Sequence, residues 1–317
     1  MDLLSTIPLV ALATLLMALK PVLLHLTRST GEAPVPPEYF QLVVEVLKVV
    51  ICGSVLLGRR MVGLPAPLWL GLRHTAPYAA PATIFLVMNV LTVRAARLLQ
   101  PPVFQLVANL KILFTALSSW AFLSRRMATG QWVSLLLLTV GVTLGQWQSG
   151  HHDAKAALTA APSTLGIALM VLNSSLSACG SVFTEKVLKG SASAELSTFA
   201  TQVHMATHTL LLGGVALCVR PVTLPPLPSR TGVLALALLT DAVNGMLISV
   251  LMRRLDSIVK NFCFGASVFV TAGISTAFLD FTPSPQFFAG AALTSLSIVL
   301  FTRLAPGPAA VAKGKQQ

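Results

Sequence analysis

The stretch that decides the fold is Gln105–Leu123, QLVANLKILFTALSSWAFL, which is long and apolar enough to cross a bilayer. It nevertheless contains an asparagine, Asn109, and a lysine, Lys111. A lysine at the centre of a membrane helix costs about 2.5–3.5 kcal/mol on insertion scales, so such residues usually face a water-filled cavity. The stretch therefore predicts a membrane protein with a polar cavity beside this helix.

The composition of the whole chain agrees with membrane insertion. Of its 317 residues 55% are hydrophobic and 10% are charged, whereas an ordinary soluble domain is about 25% charged. A soluble protein of this composition would expose large apolar patches and aggregate. The net charge of +12 does not predict nucleic-acid binding, because the basic residues lie between apolar runs and form no patch.

Ten segments have the length and hydropathy of membrane-spanning helices. Short connections rich in Gly, Pro and charge separate them, and none is long enough to form a soluble domain. The alternating segments of about ten residues that build membrane β-barrels are missing, so the sequence predicts an all-α membrane protein. The predicted spans are 6–26, 39–57, 76–96, 101–122, 131–149, 163–183, 197–219, 231–251, 259–279 and 284–302.

The basic residues of the connections predict the orientation of the chain. An even number of spans places both termini on one side of the membrane. The even-numbered connections and the C-terminal tail contain 13 Lys and Arg, whereas the odd-numbered connections contain 6. Because cytosolic loops carry the excess of Lys and Arg, both termini are predicted to face the cytosol.

The two halves of the chain resemble each other weakly. Lys111 in span four and Lys260 in span nine are each followed by the tripeptide AFL, and then by a glutamine that opens the next span. Five spans per copy is an odd number, so the copies would be inverted in the membrane, an arrangement typical of transporters. We therefore predict two inverted five-helix repeats, residues 1–150 and residues 151–317.

The two lysines that recur in the halves each allow two interpretations. Lys111 lies about 15 Å into span four at a rise of 1.5 Å per residue, which favours a position facing a cavity over snorkelling to the interface. A lysine in a wet cavity suits an anion such as phosphate. Lys260, at the cytosolic start of span nine, fits either an ordinary topology charge or the second of two cations that bind one diphosphate.

The other polar residues of the spans predict neither catalysis nor a metal site. Glu45 and Lys48 have i, i+3 spacing, which fits a structural ion pair or a gating role. Asp241 is the only other carboxylate inside a predicted span and is predicted to be unpaired. A proton- or sodium-coupled transporter usually needs a buried acid, and this single candidate favours exchange over ion coupling. His204 and His208 have a metal-ligand spacing, but no Cys, Asp or Glu lies nearby in their span. With no catalytic residues, cofactor or metal predicted, an enzyme is not expected.

A glycine motif in span five predicts a close helix–helix contact. Gly141 and Gly145 form the pattern GxxxG, which lets two helices approach closely in a membrane. The partner helix belongs either to the same chain or to a second copy, so a homodimer is one of two alternatives.

Five stretches, spread in order over nearly the whole chain, carry a resemblance to a known family. They are EVLK (45–48), FQLVANLKILFTAL (104–117), QWVSLLLLTVGVTLGQ (131–146), VFTEKVLKGS (182–191) and NGMLISVLMRRLDSIVKNF (244–262). These stretches resemble the nucleotide-sugar transporters of the CMP-sialic acid, UDP-galactose and UDP-N-acetylglucosamine branch, within the drug/metabolite transporter superfamily. The resemblance implies an antiporter that carries a UDP- or CMP-linked sugar from the cytosol into the Golgi or ER lumen and returns the nucleoside monophosphate, UMP or CMP.

The resemblance also implies which residues bind the substrate. Lys111 and Lys260 match the two lysines that family members place near the substrate phosphate. Asn89 matches an asparagine at the nucleobase end, and Ser177 matches a serine that lines the site. Phosphate recognition is therefore expected to be intact.

Departures from the family pattern leave the identity of the base and the sugar open. Phe85 and Phe104 stand where the family commonly has tyrosine, so their rings can still stack on the nucleotide but cannot donate hydroxyl hydrogen bonds. Ala200 stands where an asparagine precedes the family glutamine, Gln202 here. The complete set of predicted substrate-binding residues is Lys111, Lys260, Asn89, Ser177, Phe85, Phe104, Gln105 and Asn109, and Glu45, Lys48 and Asp256 are predicted in gating or structural roles.

The end of the chain predicts its membrane. The C-terminal KGKQQ (313–317) fits the dilysine pattern K-x-K-x-x that returns membrane proteins to the ER, so Golgi and ER membranes are both expected. The predicted partners are the lipid bilayer, a nucleotide sugar and a nucleoside monophosphate, with no nucleic acid. Two other functions stay open, namely a different small-molecule exporter of the drug/metabolite type and a Golgi interaction protein that no longer transports.

Overall fold

The computed structural model describes residues 3–27, 35–65, 72–99, 101–125, 127–146, 163–190, 196–219, 223, 228–279 and 282–304. Within these residues the regular structure is helical throughout, with no strand. The helices are α1 (Leu3–Leu26), α2 (Pro37–Met61), α3 (Leu72–Leu98), α4 (Pro101–Asn109), α5 (Lys111–Leu123), α6 (Thr129–Gln146), α7 (Thr164–Lys189), α8 (Thr198–Val219), α9 (Thr231–Arg254), α10 (Ser257–Phe278) and α11 (Pro285–Arg303).

These helices have the surface of membrane helices. Large apolar side chains such as Leu57, Phe122 and Leu211 are more than half exposed, as expected of helices that face lipid. Such helices are stable in hydrocarbon because each one satisfies its own backbone hydrogen bonds. Among the described residues nine helical segments are long and apolar enough to cross a bilayer, one of them formed by α4 and α5 together. The one remaining predicted span, span five (131–149), corresponds to α6, which has 18 residues and ends where the described part of the chain stops.

The prediction of an all-helical, multi-pass membrane protein is therefore confirmed, and the inverted arrangement of its halves stays a prediction. The chain packs as two compact units, each made of two separate segments. The first unit comprises Met1–Val90 and Phe183–Asp280, and the second comprises Leu91–Val182 and Phe281–Gln317. The predicted repeat boundary after residue 150 lies outside the described residues, so the structure does not test it.

In the first unit, α1 packs against α9 and α10, and α2 packs against α8 and α9. One core cluster joins α1, α2 and α9 through Leu23, Val44 and Ala237, which are at most 8% exposed. A second cluster, Ala13, Leu251 and Cys263, joins α1 to α9 and α10. The helices that carry Glu45, Lys48 and Lys260 are thus held by apolar contacts along their length.

In the second unit, α11 packs along α6, and α4 and α5 also contact α6. A Cβ atom built on Gly290 of α11 would lie 2.6 Å from the carbonyl oxygen of Gly141 and 2.7 Å from the nitrogen of Gly145. The two backbones therefore touch at the GxxxG motif, whose partner is a helix of the same chain. The homodimer predicted as the alternative stays a prediction.

Candidate functional site

The hydrogen-bond pattern of span four changes directly before Lys111, which was not predicted. Helix α4 ends at Asn109 and α5 begins at Lys111. The residue between them, Leu110, keeps helical backbone angles, with φ −58° and ψ −19°. Its N–H donates to the carbonyl of Val107 at 3.2 Å, and the regular spacing resumes when Phe114 donates to Leu110 at 2.9 Å. The span is therefore tightened by one short turn here and stays helical on both sides.

The side chain of Asn109, at the end of α4, links two helices. It is 1% exposed, and its amide nitrogen donates to Thr143 Oγ1 at 3.2 Å and to Gln146 Oε1 at 2.8 Å. Both acceptors belong to α6, so the amide ties the end of α4 to α6. Binding of substrate by Asn109 stays a prediction, and its nitrogen is already engaged in this helix–helix link.

Three other predicted residues belong to the second unit. Phe104 and Gln105 lie on α4, where Phe104 packs against the cluster that contains Val107 and Gln105 is exposed. Ser177 lies on α7 and is half-buried. Helix α7 is bonded to α4 in this region, because Ser174 Oγ donates to the carbonyl of Val107 at 3.0 Å. The second unit therefore contains Lys111, Asn109, Phe104, Gln105 and Ser177.

The remaining predicted substrate-binding residues belong to the first unit. Phe85 lies on α3 and is half-buried, and Asn89 lies one turn later on the same helix. The side chain of Asn89 is outside the described part of the structure. Lys260 is the fourth residue of α10 and is also half-buried. A substrate-binding role for each of them stays a prediction.

Glu45 and Lys48 form a buried ion pair. Their Oε1 and Nζ atoms are 2.6 Å apart, and the two side chains are 5% and 12% exposed. Gln41 Nε2 donates to the same carboxylate oxygen at 2.7 Å. The structural pairing that the i, i+3 spacing allows is thus formed, and a gating role stays a prediction.

The side chain of Lys48 lies next to Gly245 of α9. A Cβ atom on Gly245 would lie 3.4 Å from Lys48 Nζ. The carbonyl of Gly245 accepts a hydrogen bond from Gln202 Nε2 at 3.1 Å, and the same amide donates to Ser249 Oγ at 2.5 Å. Gln202, the family glutamine, therefore bonds α8 to α9 beside the ion pair.

Asp241 is not unpaired, contrary to the sequence prediction. Its Oδ2 atom lies 2.8 Å from Lys20 Nζ, and the same ammonium group lies 5.8 Å from the centroid of the Phe40 ring. The two charged residues are 221 positions apart in the chain, so no local pattern could predict that they pair.

Glu185 was missed because span six was predicted to end at residue 183. Helix α7 continues to Lys189, and Glu185 is 3% exposed. Its Oε1 atom accepts a hydrogen bond from Lys189 Nζ at 2.7 Å, and its Oε2 atom accepts one from the N–H of Ser257 at 2.7 Å. The sequence signal that could have found it is the i, i+4 spacing of Glu185 and Lys189 in VFTEKVLKGS.

The two histidines of α8, His204 and His208, contact other groups of the protein. The Nδ1 atom of His208 lies 2.9 Å from the carbonyl oxygen of His204, and the ring of His204 stacks on Tyr78 with centroids 5.6 Å apart. In the described part of the chain no group of three or more His, Cys, Asp or Glu is arranged to hold a metal ion.

Comparison with known proteins agrees with these features. A family model described as nucleotide-sugar transporter matches residues 4–302. "Probable UDP-sugar transporter protein SLC35A4" of Sus scrofa is 29% identical over 299 residues, 88% of each chain. "UDP-galactose translocator" of Homo sapiens is 30% identical over 236 residues, which is 72% of this chain and 58% of that protein.

The fold is shared with a solved structure as well. A crystal structure superposes with a TM-score of 0.71 over 96% of this chain and 100% of the other, at 16% identity. That likeness concerns the fold alone. Because the family model covers all but the ends of the sequence, this chain belongs to the nucleotide-sugar transporter family.

Proposed function

We propose that this protein is an antiporter of the Golgi membrane that carries a UDP-linked sugar into the lumen and returns UMP to the cytosol. Its family consists of transporters rather than enzymes. The two similar proteins, from Sus scrofa and Homo sapiens, are both named for UDP-linked substrates. Those names favour uracil over cytosine as the base, and a CMP-linked sugar is the alternative.

The observation that carries the proposal is Lys111 at the start of α5, the only charged residue of the span Val103–Leu123. A cation there is stable when the helix faces water and an anionic partner. The diphosphate of a nucleotide sugar and the phosphate of UMP supply such a partner on both halves of an exchange cycle. Lys260 is the second lysine proposed to contact phosphate, as the family resemblance implies.

Exchange without a coupling ion is supported by the buried carboxylates of the described spans. Glu45 is paired with Lys48, Asp241 with Lys20 and Glu185 with Lys189. A coupling proton or sodium ion needs a carboxylate whose charge is available to it. Because a lysine already neutralises each of these three, the counter-transported nucleotide is proposed to drive the cycle.

The test is uptake into liposomes that contain the purified protein. Liposomes preloaded with UMP, CMP, AMP or buffer alone are given radiolabelled UDP-sugars and CMP-sialic acid. We expect preloaded UMP to stimulate uptake of a UDP-sugar several-fold over buffer, with AMP giving no stimulation. Ionophores that collapse proton and sodium gradients should leave the exchange rate unchanged.

Each alternative has its own outcome in the same experiment. Equal uptake with every internal nucleotide and with buffer alone would contradict antiport and favour a different small-molecule exporter. Stimulation by CMP rather than UMP would support antiport but would show that the base is cytosine rather than uracil. A protein that folds but shows neither uptake nor a nucleotide-dependent rise in its unfolding temperature would be an interaction protein that does not transport.

A further inference from the structure

We propose that Glu185 is a positioning residue for Lys260, because it anchors the first turn of α10, which carries that lysine. This inference rests on the proposed function, since it takes Lys260 to contact the substrate phosphate. All the residues involved belong to the first compact unit. Four steps lead from the contacts to the expected effect.

The first step is the short junction between α9 and α10. Helix α9 ends at Arg254 and α10 begins at Ser257, so only Leu255 and Asp256 connect them. Asp256 is extended, with φ −165° and ψ 173°, and it is the N-cap residue of α10. A junction of two residues leaves little slack, so any shift of its backbone moves the start of α10.

The second step is the capping of α10 by two carboxylates. The Oδ1 atom of Asp256 accepts the N–H of Val259 at 2.7 Å, which is an ordinary N-cap bond. The Oε2 atom of Glu185 accepts the N–H of Ser257 at 2.7 Å. The first N–H groups of a helix have no partner within the helix, and carboxylates are favoured there by charge. Glu185 thus caps α10 from α7, 72 residues away.

The third step is the role of Lys189, which binds the other residue of the same junction, Leu255. Its Nζ atom donates to Glu185 Oε1 at 2.7 Å and also to the carbonyl of Leu255. Leu255 is the C-cap residue of α9. Helix α7 therefore holds the end of α9 through Lys189 and the start of α10 through Glu185.

The fourth step links this anchor to Lys260. Lys260 lies three residues after Ser257, so it belongs to the turn that Glu185 holds. Both carboxylate oxygens of Glu185 already accept hydrogen bonds, which argues for positioning rather than direct contact with an anionic substrate. A charge-assisted bond to phosphate depends on sub-ångström placement of the ammonium group. Loss of the anchor should therefore weaken phosphate binding through Lys260.

The experiment is a double-mutant cycle on UMP affinity, measured by titration calorimetry with the purified full-length protein. Glu185→Gln should weaken UMP binding roughly 5- to 30-fold, the factor that corresponds to about 1–2 kcal/mol. In a Lys260→Met background the same change should have little further effect, because two residues that act through one contact are not additive. Glu38→Gln, in the first turn of α2, is the matched control and should leave affinity unchanged.

The outcomes separate this inference from the proposed function. Should Lys260→Met leave UMP affinity unchanged, the phosphate contact of Lys260 is wrong, and the inference is wrong with it. Should Lys260→Met weaken binding while Glu185→Gln does not, only the inference is overturned. It is also overturned when Glu185→Gln weakens binding by the same factor in both backgrounds, since Glu185 then acts independently of Lys260.

A second variant tests the same bond if Glu185→Gln fails to fold. Ser257→Pro removes the N–H that Glu185 accepts and displaces the Glu185 carboxylate, because the ring Cδ takes the place of the amide hydrogen. It also removes the Ser257 hydroxyl, which is buried without a hydrogen-bond partner. Proline suits the first position of a helix, where its fixed φ is already helical. The extended conformation of Asp256 is compatible with a following proline. We expect Ser257→Pro to weaken UMP binding in the wild-type background and not in the Lys260→Met background. Unchanged affinity in the wild-type background would overturn the inference.

Discussion

Lys111 is the residue on which the proposed mechanism depends most. We expect Lys111→Ala to abolish exchange of UDP-sugar for UMP in liposomes. A charge-assisted hydrogen bond contributes roughly 1.5–3 kcal/mol, so UMP affinity should fall about 10-fold to more than 100-fold. The substituted protein should still fold and reach the Golgi, because removing a charge from a span lowers its insertion cost. Lys111→Arg should keep part of the affinity and exchange slowly, since the forked guanidinium holds phosphate in a different geometry.

The control for this prediction is Lys155→Ala, which removes a lysine from a connection that the sequence predicts in the lumen. It should exchange at the wild-type rate. Equal exchange rates for Lys111→Ala and wild type, at equal protein density in the liposomes, would mean that Lys111 is a snorkelling charge. The phosphate site proposed at α5 would then be wrong.

Phe85 and Phe104 are expected to influence the choice of base. Phe85→Tyr or Phe104→Tyr restores a hydroxyl that the family commonly has at these positions. One hydrogen bond contributes roughly 0.5–1.5 kcal/mol, so the ratio of UMP to CMP affinity should change several-fold while overall transport changes less. The measurement is how strongly UMP and CMP each inhibit uptake of radiolabelled UDP-sugar into the liposomes.

The matched control is Phe288→Tyr, at a position on α11 that is 61% exposed. This substitution adds the same hydroxyl away from the predicted site and should leave the UMP-to-CMP ratio as it is. An unchanged ratio in both Phe85→Tyr and Phe104→Tyr would show that neither ring touches the nucleotide.

At the scale of the element, hydropathy located the helices better than it located their ends. Helix α2 runs from Pro37 to Met61 where 39–57 was predicted, and α7 continues to Lys189 where 163–183 was predicted. Helical hydrogen bonding continues past the apolar core into the interface, where charged residues are tolerated. The link from Asn109 to Gln146 was missed for another reason, since it joins two different helices and hydropathy does not show which helices meet.

The contact between α6 and α11 carries a stability prediction. Gly290→Ala would place a methyl group 2.6–2.7 Å from backbone atoms of Gly141 and Gly145, and backbone cannot move aside cheaply. We expect the free energy of unfolding to fall by roughly 1–3 kcal/mol, as for other overpacked interiors. The measurement is thermal unfolding of the purified protein in detergent, where the midpoint should fall.

Gly273→Ala is the matched control for this contact, because a Cβ atom there meets nothing within 4 Å. Alanine favours a helix over glycine by about 1 kcal/mol, so this variant should unfold at the same temperature as wild type or slightly higher. A Gly290→Ala protein as stable as Gly273→Ala would mean that α6 and α11 are not in backbone contact.

At the scale of the whole molecule, the count of basic residues predicts that both termini face the cytosol. An epitope tag at the C-terminus should bind antibody after selective permeabilisation of the plasma membrane, when Golgi membranes are still sealed. A tag inserted into the predicted lumenal connection, between residues 152 and 153, should bind antibody only after the Golgi is permeabilised too. The reverse pattern would contradict the predicted orientation and the direction of transport with it.

By itself the sequence determined the structural class, the location of the spans and the family. A bilayer accepts only segments that satisfy their own backbone hydrogen bonds, so each span is encoded locally as about 20 apolar residues. Because a span consists mostly of apolar residues, a charged residue inside one can be recognised from the sequence alone, and Lys111 was identified in this way. The all-helical class and the role of Lys111 could therefore be proposed without knowing which helices touch.

Only the tertiary structure decided which polar groups of different helices pair. Lys20 bonds Asp241 across 221 positions, and Glu185 bonds Ser257 across 72. The GxxxG motif of α6 contacts α11 rather than a helix beside it in sequence. Each of these contacts depends on which faces of two distant helices meet, and hydropathy inside a membrane does not encode a facing direction because lipid and protein interior are similarly apolar. The partners of groups on different helices are therefore a property of the packed molecule.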